Sequence, residues 1–140
     1  MNKKGVTLIE LVIVVAIISI LAMIAIPAYI GQQRSAARTE AYANLENIRL
    51  LEEQFFAENG VYTISLGTCA ANNPGNVNTI QSSLPAFRPG TGQGFSYCIQ
   101  ANIDLAGNAQ TPCFRASAFG NTGRVAGDIF RIDCNNNKDY

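Results

Sequence analysis

Glu10 is an ionisable side chain inside an otherwise apolar segment. Ser19 is the only polar residue between Leu11 and Ile26. A carboxylate at the centre of a membrane-spanning helix costs roughly 2.5–3.5 kcal/mol, and less near the helix end where Glu10 lies. An acid kept at such a position is a functional candidate, and its expected chemistry is pairing with a positive charge. The alternative interpretation is a carboxylate at the level of the lipid headgroups, near the membrane surface.

The apolar run from Leu8 to Ile30 is long enough to cross a bilayer as a helix, at about 1.5 Å per residue. Lys3 and Lys4 precede it and the next basic residue is Arg34. This asymmetry predicts a cytoplasmic N-terminus, with the remainder across the membrane. A cleaved secretory signal peptide and a plain membrane anchor are both alternatives. Residues 25–28, Ala-Ile-Pro-Ala, match a signal-peptide cleavage site poorly, and neither alternative has a use for Glu10.

Residues 3–10, Lys-Lys-Gly-Val-Thr-Leu-Ile-Glu, followed by the apolar run, resemble the prepilin signature of type IV pilins and secretion pseudopilins. The resemblance implies that a membrane-embedded prepilin peptidase cuts between Gly5 and Val6 on the cytoplasmic side. It also implies methylation of the new α-amine at Val6. The family usually has Phe where this chain has Val6.

The same resemblance implies a role in subunit assembly for Glu10 and Val6. Cleavage creates a positive α-amine at Val6 in an apolar environment, where a charge is tolerated only if it is paired. Glu10 of a neighbouring subunit can supply that pair when an incoming subunit docks in register. Pro27 removes a backbone donor within the apolar helix and predicts a kink or local melting there.

As a pilin-like protein, the chain is expected to polymerise with itself or with other pilins into an extracellular filament. Its partners would be the prepilin peptidase and methyltransferase and the assembly machinery of the inner membrane. The precursor would lie in the cytoplasmic membrane and the product on the cell surface, in adhesion, twitching motility or DNA uptake. A type II secretion pseudopilin is the closest alternative. Its major members carry a Tyr-Pro-Thr segment after the helix, whereas residues 59–63 here read Asn-Gly-Val-Tyr-Thr.

Four cysteines, all between residues 69 and 134, predict two disulfides in an oxidising compartment. They are Cys69, Cys98, Cys113 and Cys134. Four cysteines allow three pairings. A turn near Gly123 favours Cys113–Cys134 with Cys69–Cys98, although strand alternation puts Cys113 and Cys134 on opposite faces unless a bulge intervenes. Zinc ligation by the four thiolates is disfavoured because no C-x-x-C pair occurs.

Composition argues against an enzyme and against a nucleic-acid binder. The chain has no His, and its 10 basic and 10 acidic residues balance. It therefore lacks the commonest general base and metal ligand as well as a basic excess. No nucleophile elbow or phosphate loop occurs, so a membrane-anchored enzyme is a remote alternative. Alternating Asp and Asn in residues 133–139 resemble half of a calcium loop, but Lys138 replaces the required glycine. We predict no metal and no cofactor.

These residues are expected to lie on a long N-terminal helix followed by a small α+β head with the pilin fold. The expected parts are a cleaved leader at residues 1–5, an apolar assembly helix at 6–30, an amphipathic helix at 31–59 and a disulfide-containing head at 60–140. Apolar residues recur at three- and four-residue spacing along the second half of this helix and predict a stripe that packs on the sheet: Ala37, Ala41, Leu45, Ile48, Leu51 and Phe55. The acidic and basic residues of this helix, Glu52 included, are expected off the stripe.

Three antiparallel strands are predicted in the head, at residues 95–103, 113–119 and 128–134, joined by turns at 106–108 and 121–123. The sheet could hold three or four strands. Residues 69–94 show no periodicity and are expected to form an exposed loop.

Overall fold

A computed structural model of the chain describes residues 5–90, 94–121 and 123–140. Lys3 and Lys4 of the predicted signature, and Thr122 of a predicted turn, lie outside the described residues. The described elements are two helices and three strands: α1 Leu8–Asn59, α2 Asn76–Ser83, β1 Phe95–Ile103, β2 Ala109–Gly120 and β3 Ile129–Asp133. The predicted α+β fold, a long N-terminal helix with a small antiparallel sheet, is confirmed.

Contacts along the chain divide it into two compact units, residues 1–35 and 36–140. The first unit carries the N-terminal part of α1, and its large apolar side chains are exposed, from 45% at Ile30 to 79% at Leu8. By length and composition, α1 could cross a membrane, with a mean hydropathy of 3.0 in its most apolar window and none of that window buried. This part of α1 therefore presents an apolar surface that the chain itself does not cover.

In the second unit, α1 packs through the predicted apolar stripe. Ala41, Leu45 and Ile48 are fully buried, and Ala37, Leu51 and Phe55 are partly buried against the same core. Glu52 is fully buried together with this stripe, so the prediction that it lies off the stripe was wrong. The reason is that residues after the helix supply hydrogen-bond donors for its carboxylate.

The helix ends at Asn59, where Gly60 adopts a left-handed conformation with φ 73°. The Gly60 N–H donates to the Phe56 carbonyl at 2.7 Å. A residue with positive φ just after a helix is a common stop, and glycine adopts it without strain. The predicted stop at Asn59–Gly60 is confirmed.

The sheet has the order β1-β2-β3 and is antiparallel throughout. One face carries the core residues of the three strands, which meet in register as Ile99, Ala116 and Ile132. The three predicted strands are confirmed, although β2 begins four residues earlier than the predicted residue 113. The predicted turn at 106–108 is confirmed by a bond of 2.9 Å from the Asp104 N–H to the Asn108 carbonyl.

Residues 69–94 are not only an exposed loop, because they contain α2. Its Asn76 and Ile80 are buried, and Leu84 and Phe87, just beyond the helix, join the hydrophobic core. The Asn76 side chain bonds the backbone of Thr68 in both directions, at 2.9 and 2.7 Å. This region thus covers part of the core.

Short segments lie along both outer edges of the sheet. At β1, Leu66 and Ile99 exchange backbone hydrogen bonds of 2.8 and 2.9 Å. At β3, Ile132 forms a bridge with Lys138, and Arg131 is bonded to Asp139. Unpaired edge groups are thereby reduced on the first and last strands.

Candidate functional site

The predicted cleavage bond lies just before the first helical residue. Gly5, Val6 and Thr7 precede α1 and are exposed, Val6 by 78%. Among the described residues beyond its chain neighbours, no heavy atom lies within 4 Å of the position that a Cβ on Gly5 would occupy. The backbone at the predicted Gly5–Val6 cleavage bond is therefore exposed and non-helical.

Thr7 and Glu10 together cap the start of α1. The Thr7 N–H and hydroxyl donate to Glu10 Oε2 at 2.9 and 2.8 Å. The Glu10 N–H lies 3.3 Å from Thr7 Oγ1, which accepts from it. This is a capping box, in which the first turn's side chains satisfy backbone donors that have no helical partner. The prediction for Glu10 rested on its charge within an apolar segment and did not include Thr7. The Thr-x-x-Glu spacing in the sequence is nevertheless typical of a capping box.

The cap leaves the Glu10 carboxylate with further accepting capacity. Both bonds that it accepts within the described part of the chain go to Oε2. An ionised carboxylate has about four lone-pair positions on two oxygens. The negative charge also lies at the positive end of the helix dipole, which favours it there. Glu10 can therefore cap its own helix and still accept from a cation of another chain.

Ser19, the polar residue within the apolar run, is satisfied by its own helix. Its hydroxyl donates to the Val15 carbonyl at 2.7 Å. This bond within the helix makes a hydroxyl tolerable in an apolar environment. Glu10 thus differs from Ser19, because its side chain lies at the helix start rather than along the helix side.

Pro27 lies inside α1, and residues on both sides of it are helical. The predicted local melting is absent from this subunit structure. Proline at this position still removes one backbone donor from the helix. A loosening of the helix at Pro27 in an assembled state stays a prediction.

The four cysteines form two disulfides, Cys69–Cys98 and Cys113–Cys134. The favoured pairing is confirmed. The alternation argument did not apply to Cys134 because β3 ends at Asp133, one residue earlier. The Cys134 N–H donates to the Phe114 carbonyl at 3.1 Å, which holds it beside β2.

The acidic tail uses its carboxylates within the chain. Asp133 is fully buried, and its Oδ1 accepts from the N–H groups of Asn135 and Asn137, both at 2.9 Å. Its Oδ2 accepts from the Leu105 N–H at 3.1 Å and from the Asn137 side chain at 3.0 Å. Donor groups therefore surround the oxygens that a calcium ion would require. Within residues 5–90, 94–121 and 123–140, no cluster of three or more His, Cys, Asp or Glu side chains has a metal-binding arrangement.

Comparison with known proteins gives a family match at the N-terminal segment and several similar pilins. The family model described as the prokaryotic N-terminal methylation motif matches residues 1–26. The type IV major pilin protein PilA of Myxococcus xanthus is 48% identical over 62 residues, which are 44% of this chain and 28% of that protein. No solved structure gives a significant match.

Two further relatives extend the match into the head. The type IV wide pilus major component PilA4 of Thermus thermophilus is 40% identical over 82 residues, 54% of this chain and 61% of that protein. The type IV major pilin protein PilE1 of Neisseria gonorrhoeae is 34% identical over 82 residues, 59% of this chain and 35% of that protein. In each of these three relatives the match covers less than two thirds of the relative's length. The predicted resemblance to type IV pilins is confirmed.

Proposed function

We propose that this chain is a structural subunit of a bacterial type IV pilus that polymerises through its N-terminal helix. The observation that carries this proposal is the exposed apolar part of α1 with the Thr7–Glu10 cap at its start. Apolar area left in water is unfavourable by about 25 cal/mol per Å². Such a surface needs lipid around it in the precursor and other subunits around it in the filament.

Processing prepares the segment for assembly. The prepilin peptidase cuts between Gly5 and Val6, and the new α-amine of Val6 is methylated. The exposed, non-helical backbone at this bond supports the assignment of the cleavage position. The match of residues 1–26 to the methylation-motif model supports it as well.

Docking then pairs two charges that are unfavourable in an apolar environment when alone. The α-amine of Val6 in one subunit meets the Glu10 carboxylate of its neighbour, so that subunits add in register. A buried charge is tolerated when an opposite charge and hydrogen bonds compensate it. Thr7 holds the Glu10 carboxylate through Oε2. This contact supports a role for the remaining lone pairs of the carboxylate in accepting the amine.

The proposed subunit assembles with copies of itself or with other pilins. The inner-membrane assembly machinery draws it from the cytoplasmic membrane into a filament on the cell surface. Filaments of this kind act in adhesion, twitching motility or DNA uptake. The three relatives are named as pilins or pilus components, which favours a pilus over a secretion pseudopilus.

The N-terminus of the assembled subunit tests the processing step. Filaments sheared from cells should contain a chain that begins at Val6 and carries one methyl group on its amine, as measured by mass spectrometry. Cells without the prepilin peptidase should accumulate the uncut chain and make no filaments. A mature chain that begins after Ala28 would contradict the cleavage position.

Replacing Glu10 tests the docking step. Glu10→Gln keeps the side chain's size and removes its charge, so membrane insertion should be retained while filament yield falls at least tenfold. Ser19→Ala is the matched control, because the Ser19 hydroxyl bonds only its own helix in the described structure. The measurement is the ratio of filament to membrane-bound subunit. A wild-type ratio in the Glu10→Gln variant would exclude the charge-pairing step.

A further inference from the structure

The fully buried Glu52 has hydrogen-bond donors but no countercharge. Its Oε2 accepts from the Thr63 N–H at 3.0 Å, and its Oε1 accepts from the Thr63 hydroxyl. Thr63 is itself buried and lies eleven residues further along the chain, beyond the end of α1. One residue of the following segment thus satisfies both oxygens of a buried acid.

The groups around Glu52 do not neutralise its charge. Glu53, its neighbour on α1, adds a second negative charge, and Tyr62 lies close enough for Glu52 to act on its titration. The strands contribute apolar side chains, such as Ile99 and Phe114, to the hydrophobic core of the head. No basic residue among those described acts on the Glu52 carboxyl. An ionised carboxylate here keeps most of its desolvation penalty.

The segment that Thr63 anchors covers the outer edge of β1. Leu66 exchanges backbone bonds with Ile99, and the Ala101 N–H donates to the Ser65 hydroxyl oxygen at 3.0 Å. These contacts lie two and three residues beyond Thr63. The hydrogen bonds that Thr63 donates to Glu52 therefore tie the end of α1 to the segment that covers the sheet edge.

We propose that Glu52 and Thr63 form a pH-sensitive latch, in which protonation of Glu52 tightens the hold of residues 63–66 on the edge of β1. When protonated, the carboxyl still accepts from the Thr63 N–H and donates its proton to the Thr63 hydroxyl oxygen. It then forms the same two contacts without a buried charge.

The direction of the pH dependence follows from the raised pKa of Glu52. Burial is the largest cause of this raised pKa, the hydrogen bonds from Thr63 oppose it, and the Glu53 charge adds to it. The closed latch binds a proton more tightly than the open one, in which Glu52 is solvated. The latch is tightest below the ordinary carboxyl pKa and loosens as pH rises through the raised value.

Hydrogen exchange in the full chain, held in detergent micelles, tests the latch. The reporters are the Ile99 and Ala101 amides, which donate to residues 66 and 65. The exchange rate of each amide, corrected for its intrinsic rate, gives the equilibrium constant for opening of the latch. As the pH rises through the titration of Glu52, this constant should increase about tenfold for each unit by which the Glu52 pKa is raised. The amide N–H groups of Cys98 and Gln100 alternate with these reporters along β1 and point toward β2. Exchange at these two amides should therefore change much less with pH.

Glu52→Gln is the matched variant, since an amide can bond Thr63 in both directions and does not titrate. In this variant the corrected hydrogen exchange of the Ile99 and Ala101 amides should stay the same from acid to neutral pH. The same pH dependence in the variant and the wild type would overturn the latch. If the variant does not fold, carboxyl carbon NMR of the wild-type chain decides directly. A titration of Glu52 at or below the ordinary pKa would overturn the proposal.

Discussion

Tyr97 shows how one buried side chain of the head couples to pH. Only 4% of it is exposed, and its hydroxyl oxygen accepts from the Asn44 side chain of α1 at 2.8 Å. Burial is the main cause that raises the pKa of Tyr97 to about 12, against an ordinary value of 10.0. The folded head therefore binds this proton more tightly than the unfolded chain does.

We predict that alkali destabilises the head through Tyr97. The stability that this proton contributes is fully present below pH 10 and is lost as the pH rises through about 12. Each pH unit between the folded and unfolded pKa is worth about 1.4 kcal/mol. Denaturant unfolding at several alkaline pH values should show a smaller loss for Tyr97→Phe than for the wild type. An equal loss in both would assign the effect to other groups.

A second prediction at the residue scale concerns the cap of α1. Thr7→Val removes the hydroxyl that joins Glu10 and should weaken the helix start by about 1 kcal/mol. Faster hydrogen exchange is expected at the amide of Leu11, which donates to the Thr7 carbonyl at 3.2 Å. Thr7→Ser keeps the hydroxyl and should restore slow exchange. Equal exchange in the Val and Ser variants would show that the hydroxyl adds nothing.

At the scale of elements, α2 contributes more to the head than its length suggests. Eight residues are too few for a helix to be stable alone, so tertiary packing must hold it. Ile80 is fully buried, and the Leu84 N–H donates to the Ile80 carbonyl at 2.8 Å. The helix therefore depends on the core that it covers.

We predict that Ile80→Ala destabilises the head by about 2–5 kcal/mol, because it leaves a cavity in the core. Asn78→Ala, on the exposed side of α2, should change the unfolding free energy by about 0.5 kcal/mol or less. Denaturant unfolding of the two variants provides the measurement. Similar losses in both would mean that α2 is held by its surface rather than by Ile80.

The elements differ in how well the sequence predicted them, for physical reasons. The stripe of α1 and the strand at 95–103 carry strong periodicity, and both are confirmed. Residues 69–94 are rich in Asn, Gly, Ser and Pro, which indicated a loop. The spacing of Ile80, Leu84 and Phe87 was the available signal for a packed segment. Glu52 was misplaced because its partner, Thr63, comes from the far side of a turn.

At the scale of the whole molecule, one disulfide ties a segment outside the sheet to a strand, and the other joins two neighbouring parts of the sheet region. Cys69–Cys98 ties the segment after α1 to β1, with a sequence separation of 29. Cys113–Cys134 joins β2 to the residue after β3, with a separation of 21. The fold class and the cysteine pairing followed from sequence patterns, because both depend on local spacing. The Thr7–Glu10 cap was missed because charge alone drew attention to Glu10.

We predict that replacing Cys69 and Cys98 together by Ser lowers the unfolding free energy of the head by about 2–5 kcal/mol. The cross-link restricts the unfolded chain, so its removal favours unfolding. Thermal unfolding without reductant is the measurement, with the Cys113–Cys134 bond left intact as the internal reference. An unchanged midpoint would indicate that α2 and the Asn76 bonds suffice to hold this segment.

The covered outer edges of β1 and β3 reduce the risk that closely packed heads aggregate through their strands. In the proposed filament, heads would stand beside one another at a very high local concentration, where open strand edges would pair into aggregated sheets. Leu66 covers part of the β1 edge, and the segment of Lys138 and Asp139 covers part of the β3 edge. Neighbouring heads in such a filament would then meet through side chains rather than through paired strand edges. Side-chain contacts of this kind could be released one by one when a fibre is taken apart, as stacked strands cannot.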